Sequence, residues 1–300
     1  MSLNMKPHVR IIARFPYMIA RRMWPAIILL LLLTGAHITA QIRPGAQPTL
    51  RGNRPLVIAH RGGAKEWTEN TIASFHRAMR VGADGIETDL RLTRDGVIVL
   101  YHDDRFGRVE GLVRAHRTRK VSDLNYSELS AQTLIPVGED TGGQRVPTLD
   151  NLLADMRTGL LNIEMKRGEK FDDLLKKTIL ALKNYRGLDR VVLEPPDLKT
   201  AEKLRDELGP RIKLHVNPGY DGSVPFETSL ERVLKFKPHS ISVSYKKLSW
   251  EIVDLAHKAG VEVWVWTVDS PEIAQAMWLL GVDAIKTDRP KMVVDLLRGK

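Results

Sequence analysis

The chain has 300 residues, is 43% hydrophobic and 27% charged, and contains no cysteine. That balance suits one large globular domain; the missing cysteines exclude disulfides, thiolate zinc sites, cysteine nucleophiles and a cysteine-linked lipid anchor. The formal net charge is +10, but half of it is Lys6, Arg10, Arg14, Arg21 and Arg22; the mild excess left can favour an anionic substrate, and with no arginine stripe interleaved with aromatics it argues against nucleic acid as a partner.

Residues 1–40 read as an export signal. Arg21-Arg22 precede an apolar run from Met23 to Leu33, broken only by Pro25. Those 11 residues fall short of the ~20 that span a bilayer. A basic segment, a short apolar segment and small residues up to Ala40 predict cleavage there and a periplasmic or secreted product; an uncleaved membrane anchor is the alternative. Any other membrane contact would come through a lipid substrate. Residues 41–54 form a Pro/Gly-rich leader, and 55–300 form the folded domain.

Within that domain strands and helices alternate. Leu56–His60 reads as a strand and Asn70–Val81 as a helix, with Ile72, Phe75, Ala78 and Met79 at helical spacing. Ala83–Leu92 is a second strand, and Asp95-Gly96 turns the chain into a hairpin over Val97–His102. Residues 103–147 are dense in charge and read as an excursion from the core. A helix starts at Thr148. Strand–helix pairs then follow: 159–164 with 171–185, 190–194 with 198–208, 212–216 with 226–236, 239–243 with 249–259, 261–267 with 271–280, and 282–286 with 290–297. Eight strands, each followed by a helix, over this length favour a (β/α)₈ TIM barrel with an insertion after the second strand. The absence of Gly-x-Gly-x-x-Gly after the first strand weighs against an open dinucleotide-binding sheet.

In such a barrel the chemistry sits at the C-terminal strand ends. Strand 1 ends in His60-Arg61, strand 2 carries Glu87 and Asp89 on one face, the hairpin ends in His102-Asp103, and the next strand ends in Glu164-Met165-Lys166. Three converging carboxylates would repel one another without a cation, and three hard oxygen donors suit one divalent ion, Ca²⁺ or Mg²⁺. Two histidines offer a general acid and a general base, while Arg61 and Lys166 offer charge to a phosphate. Together these fit phosphodiester cleavage. His215 reads as structural, and Trp266 as a core or pocket wall.

These segments carry a resemblance. His60-Arg61-Gly62, Glu69-Asn70-Thr71, 82–89, Thr93-Arg94-Asp95-Gly96, His102-Asp103, Ile163-Glu164-Met165-Lys166, Trp266-Thr267-Val268 and 281–290 stand in the order and spacing of the glycerophosphodiester phosphodiesterases. The resemblance covers about residues 56–297. It implies a (β/α)₈ barrel that hydrolyses small glycerophosphodiesters to sn-glycerol 3-phosphate and an alcohol. It also implies a metal on Glu87, Asp89 and Glu164, His60 and His102 as the acid–base pair, and Arg61 and Lys166 on the phosphate. The insertion would cover the site and contact the glycerol end. The chain departs from the pattern at Thr68, where proline is usual and only the loop should feel it; at 104–111, which lack the usual Arg-Thr-Thr-like segment; and at Glu194-Pro195-Pro196, where many members have a serine–phenylalanine pair. Glu194 could line the pocket and select a cationic alcohol such as choline, or pair with a neighbouring lysine. Two other functions stay open: a lysophospholipase D or sphingomyelinase D-like enzyme, hinted at by Leu112, Val113 and Leu134 as an apolar rim, and a secreted binding barrel without catalysis.

Overall fold

The computed structural model describes residues 54–107, 119–219 and 222–299. The predicted signal, the leader up to residue 53 and the 108–118 part of the insertion, with Leu112 and Val113, lie outside these described residues. Among the described residues no helix is long and apolar enough to cross a membrane.

The strands are β1 (Leu56–Ala59), β2 (Gly85–Leu92), β3 (Ile98–Leu100), β4 (Leu160–Met165), β5 (Val191–Glu194), β6 (Lys213–Val216), β7 (Ser240–Ser244), β8 (Glu262–Trp266) and β9 (Ala284–Thr287). The helices are α1 (Ile72–Val81), α2 (Tyr126–Ser130), α3 (Leu149–Asp155), α4 (Phe171–Lys183), α5 (Leu198–Leu208), α6 (Phe226–Phe236), α7 (Trp250–Lys258), α8 (Pro271–Leu280) and α9 (Pro290–Leu297). The sheet runs β1-β9-β8-β7-β6-β5-β4-β2, and β1 also pairs with β2, so eight parallel strands close into a barrel. β3 is antiparallel to β2 and stands outside the ring. Every barrel strand is followed by a helix, as the alternation predicts.

Strand period two explains the radial order. One set of alternate residues is apolar and buried: Val57 and Ala59, Ile86 and Leu90, Leu161 and Ile163, Val263 and Val265. These face the helices. The other set points inward and changes character along the axis. Ile58, Val192, Trp264 and Ala284 pack together near the strand starts. One step along come Glu87, Asn162, Glu194, His215, Ser242 and Lys286, all buried. At the strand ends stand His60, Asp89 and Glu164. A greasy floor thus supports a polar middle and a charged mouth.

The described part of the insertion has a core of its own. Phe106, Val121, Leu124, Leu129, Leu134 and Val146 make a cluster of their own against Val99 and Tyr101 of the hairpin. Leu134 is therefore core, only 4% exposed, and not part of an apolar rim. Thr68 matters beyond its loop. Its N–H donates to Asp140 Oδ2 at 2.7 Å, and its Oγ1 accepts from Val137 N at 3.3 Å. Arg77 of α1 closes the same junction on Asp140 Oδ1 at 2.6 Å. A proline at 68 would have no N–H to give, so the departure from the family pattern fastens the insertion to the β1–α1 loop.

Candidate active site

The predicted first strand stops one residue early. His60 opens a 3₁₀ turn, and Arg61 adopts a left-handed φ of 53°. That twist points the Arg61 N–H at Glu87 Oε2, 2.8 Å away. Asn70 is likewise left-handed, with φ 54°. It does not cap α1; Thr71 does, its side chain accepting from Ser74 N. The Asn70 amide instead donates to Asp89 Oδ2 at 2.9 Å and accepts from Thr88 Oγ1 at 2.7 Å. Non-glycine residues in this region cost of order 1–3 kcal/mol and persist where the surroundings over-determine them. Both of these hold a buried carboxylate in place. The glycines that follow are fitted closely to their neighbours. A Cβ on Gly62 (φ 82°) would sit 2.3 Å from Ser74 Oγ, and one on Gly63 (φ 103°) 2.9 Å from Pro290.

Glu87, Asp89 and Glu164 each offer an oxygen within 4.8 Å of the others. Glu87 and Asp89 are 0% exposed. Lys166 Nζ lies 2.9 Å from Asp89 Oδ1 and 2.6 Å from Glu164 Oε1. Arg61 Nε is 3.6 Å from Asp89 Oδ2, and its guanidinium also meets Glu69 at 3.5 Å. The balance is uneven. Burial and the neighbouring Asp89 charge push the Glu87 carboxyl up. Burial acts on Asp89 too, but Lys166, His102 and Arg61 overcome it and hold that carboxyl well below its ordinary range. Burial opposes the charge on Lys166, and Asp89 and Glu164 more than restore it.

Among the described residues this is the one cluster of three or more potential metal-ligating side chains. Glu87 Oε1 is buried and has no hydrogen-bond partner. Leaving an ionised oxygen unpaired is costly, and a cation would remove the cost. Oxygens up to ~4.8 Å apart can share Ca²⁺ at its usual ~2.3–2.6 Å. The donor set fits a hard divalent ion.

Both predicted histidines belong to this mouth. His60 Nε2 faces Glu87 Oε2 at 3.8 Å, and its Nδ1 meets Asp288 Oδ1 at 2.6 Å. His102 lies close enough for its charge to act on Asp89. Its Nδ1 meets Asp103 Oδ1 at 2.7 Å. Arg91, on β2, clamps this corner: Nη2 donates to His102 O at 2.8 Å and Nη1 to Arg167 O at 2.8 Å. It joins the turns that follow β3 and β4.

The other two predicted pocket residues differ from this group. Trp266 is half-buried at the end of β8. Glu194 does not offer an open acidic wall to a cationic alcohol. It is 2% exposed, and its carboxylate accepts from Lys286 Nζ at 2.5 Å. His215 shares that layer, with Nδ1 on Ser240 Oγ at 2.8 Å and its ring 4.8 Å from Trp264; burial, helped by the Lys286 charge, keeps it neutral. Removing one member of a buried ion pair strands the other, at ~3–5 kcal/mol. Lys286→Met should therefore destabilise the fold by about that much in urea denaturation, and Lys286→Met with Glu194→Leu should recover most of it.

Sequence reasoning missed Asn70 as a carboxylate anchor, and Asp288 and Arg91 altogether as supports. Asp288 falls within the 281–290 segment, and its place after β9, beside β1, is the available signal. Arg91 shares the face of Glu87 and Asp89 on β2, one step further toward the strand end, and that spacing is its available signal.

Residues 60–292 match the glycerophosphoryl diester phosphodiesterase family. A glycerophosphodiester phosphodiesterase of Caldanaerobacter subterraneus subsp. tengcongensis is 34% identical over 82% of this chain and 98% of its own. The chain belongs to the glycerophosphoryl diester phosphodiesterase family. It is therefore a phosphodiester hydrolase. A second relative, the human protein named lysophospholipase D GDPD1, is 27% identical over 81% of this chain and 86% of its own. Among solved structures, the Thermotoga maritima glycerophosphodiester phosphodiesterase superposes with a TM-score of 0.65 at 26% identity, covering 81% of this chain and 99% of its own. An Oleispira antarctica phosphodiesterase in complex with the product sn-glycerol-3-phosphate superposes with a TM-score of 0.68 at 23% identity, covering 83% and 99%, which speaks to the fold alone.

Proposed function

We propose that this enzyme hydrolyses glycerophosphodiesters to sn-glycerol 3-phosphate and an alcohol, with His60 and His102 as its acid–base pair and a divalent ion held by Glu87, Asp89 and Glu164. One observation carries the reading. Two imidazoles, each held at Nδ1 by an aspartate, stand beside a three-carboxylate cluster with a partnerless buried oxygen. When bound, the ion supplies Lewis-acid charge to a phosphoryl oxygen. Arg61 and Lys166, poised between the carboxylates and the open mouth, bind the remaining phosphate charge. One histidine takes a proton from the nucleophile, water or the adjacent glycerol hydroxyl. The other gives a proton to the leaving alcohol oxygen as its bond to phosphorus breaks.

The insertion, joined to the β1–α1 loop through Thr68 and Asp140, would cover the glycerol end. The export signal belongs to the same proposal, with a periplasmic or secreted enzyme as its product. A lysophospholipase D activity is the second reading. It is supported by the human relative's name and by Ile135, which is 45% exposed on the insertion. A non-catalytic binding barrel has less support, because each residue its catalysis would need is present.

A substrate panel with and without EDTA tests these readings. Glycerophosphocholine or glycerophosphoethanolamine should release glycerol 3-phosphate, and lysophosphatidylcholine should turn over more slowly. EDTA should stop both, and Ca²⁺ or Mg²⁺ should restore them. Faster turnover of the lysolipid would establish the second reading instead.

A further inference from the structure

The proposed mechanism needs His60 to exchange a proton at one particular nitrogen, and the end of β9 bears on which. Asp288 comes from the residue after β9, more than 200 positions from His60, and meets Nδ1 at 2.6 Å. The opposite nitrogen, Nε2, faces Glu87 at 3.8 Å.

Asp288 is itself held. Its N–H donates to Asp269 Oδ1 at 2.8 Å, an oxygen that also accepts from Thr287 Oγ1 at 3.2 Å. Lys65 Nζ closes on Asp269 at 2.6 Å and stands 4.0 Å from Asp288 Oδ2. Pro290, at the start of α9, packs where a Cβ on Gly63 would be, so the two loops are fitted together. The carboxylate is thus anchored from behind and presented to the ring.

We propose that Asp288 is the positioning residue of His60, locking the neutral ring as its Nδ1–H form so that the Nε2 lone pair faces the carboxylate cluster. An ionised carboxylate only accepts hydrogen bonds, so the ring nitrogen against it must carry the hydrogen. Neutral imidazole has one N–H, and the free lone pair is then on Nε2. Without Asp288 the hydrogen can move to Nε2 and the ring can rotate, and either change removes the acceptor from the reaction centre. Asp288 also stabilises the cation that forms when Nε2 takes a proton, as the buried aspartate of a Ser-His-Asp triad does. His102 and Asp103 repeat the arrangement with a partner adjacent in sequence. Asp288 does the same across the closure of the barrel.

This inference rests on the acid–base role of His60, so the test separates the two. Asp288→Asn is nearly isosteric, and a melting curve checks its fold. On glycerophosphocholine it should lower kcat by about 10²-fold or more with KM nearly unchanged. In a His60→Ala background the same substitution should cost almost nothing further. In the ¹⁵N spectrum, His60 should show a protonated Nδ1 in the parent and lose that preference in Asp288→Asn. Near-normal kcat for Asp288→Asn beside an inactive His60→Ala overturns the positioning role alone. A full Asp288→Asn loss in the His60→Ala background overturns it too, because the aspartate would then act elsewhere. Full activity of His60→Ala overturns the acid–base reading and this inference with it. An Nε2–H ring in the parent spectrum overturns the tautomer assignment.

Discussion

His60→Ala and His102→Ala should each lower kcat on glycerophosphocholine by at least the ~10²–10⁴-fold that general acid–base catalysis contributes. The double variant should fall less than the product of the two single losses, because residues that act as one unit are not additive. Neither substitution should change KM much, since neither ring is placed as the main holder of the phosphate charge. The structure gives a reason to expect unequal sensitivity to leaving group. The acid protonates the departing oxygen, so its loss is felt least with an alcohol that leaves easily. An aryl glycerophosphodiester, whose phenolate needs little help, should partly rescue the acid variant and leave the base variant impaired. That comparison assigns the two roles; an aspartate meets Nδ1 of each ring. Single-turnover rates with glycerophosphocholine and a nitrophenyl analogue provide the check. Unchanged turnover in either variant would remove that histidine from the mechanism.

Much of the fold was legible because a (β/α)₈ barrel is built from local signals. Apolar runs mark strands, amphipathic stretches mark helices, and turn residues separate them. Even the inward set could be counted at spacing two, which placed Glu87 with Asp89 and set Glu164 near them. The strand ends were less legible. His60 leaves the strand where Arg61 N bonds to Glu87 on the neighbouring β2, a contact distant in sequence that no local propensity encodes. Asn70 has the composition of a helix cap, but the buried Asp89 takes its amide, and Thr71 caps α1 in its place.

The pairing of Glu194 shows where sequence reading ends. Glu194 and Lys286 lie on β5 and β9, which do not adjoin in the barrel, yet both point inward and meet across its interior. Strand parity puts both in one layer, but only the closure of the barrel brings them within bonding distance. Asp288 reaches His60 for the same reason: β9 is the neighbour of β1. Thr68 stood out as a departure from the family pattern. Its consequence depended on Asp140, in a segment whose path the sequence did not specify.

Metal removal should have an effect as large as histidine loss. Asp89→Asn, Glu87→Gln or Glu164→Gln should each reduce kcat by about 10³-fold, since ~4 kcal/mol of transition-state charge stabilisation corresponds to that factor. Isothermal titration with Ca²⁺ separates lost binding from lost chemistry, and Asp89→Asn should bind far more weakly than the parent, because Lys166, His102 and Arg61 hold Asp89 ionised. The pH dependence follows from Glu87. In the metal-free protein burial and Asp89 raise its carboxyl to about 7. The ion binds the ionised form, so below that pH it must displace a proton, and its affinity should fall by up to about tenfold per pH unit. Above it the competition ends and affinity levels off. The same shift acts on the metal-free fold. A carboxyl raised from 4.5 to about 7 binds more protons folded than unfolded between those values, so its contribution to stability is lost as pH rises through the window. Ca²⁺ should therefore raise the melting temperature more at pH 8 than at pH 5.5. In Glu87→Gln the affinity should be low at every pH and lose its step near 7. A wild-type affinity that does not change between pH 5.5 and 8 would mean that Glu87 is not a ligand.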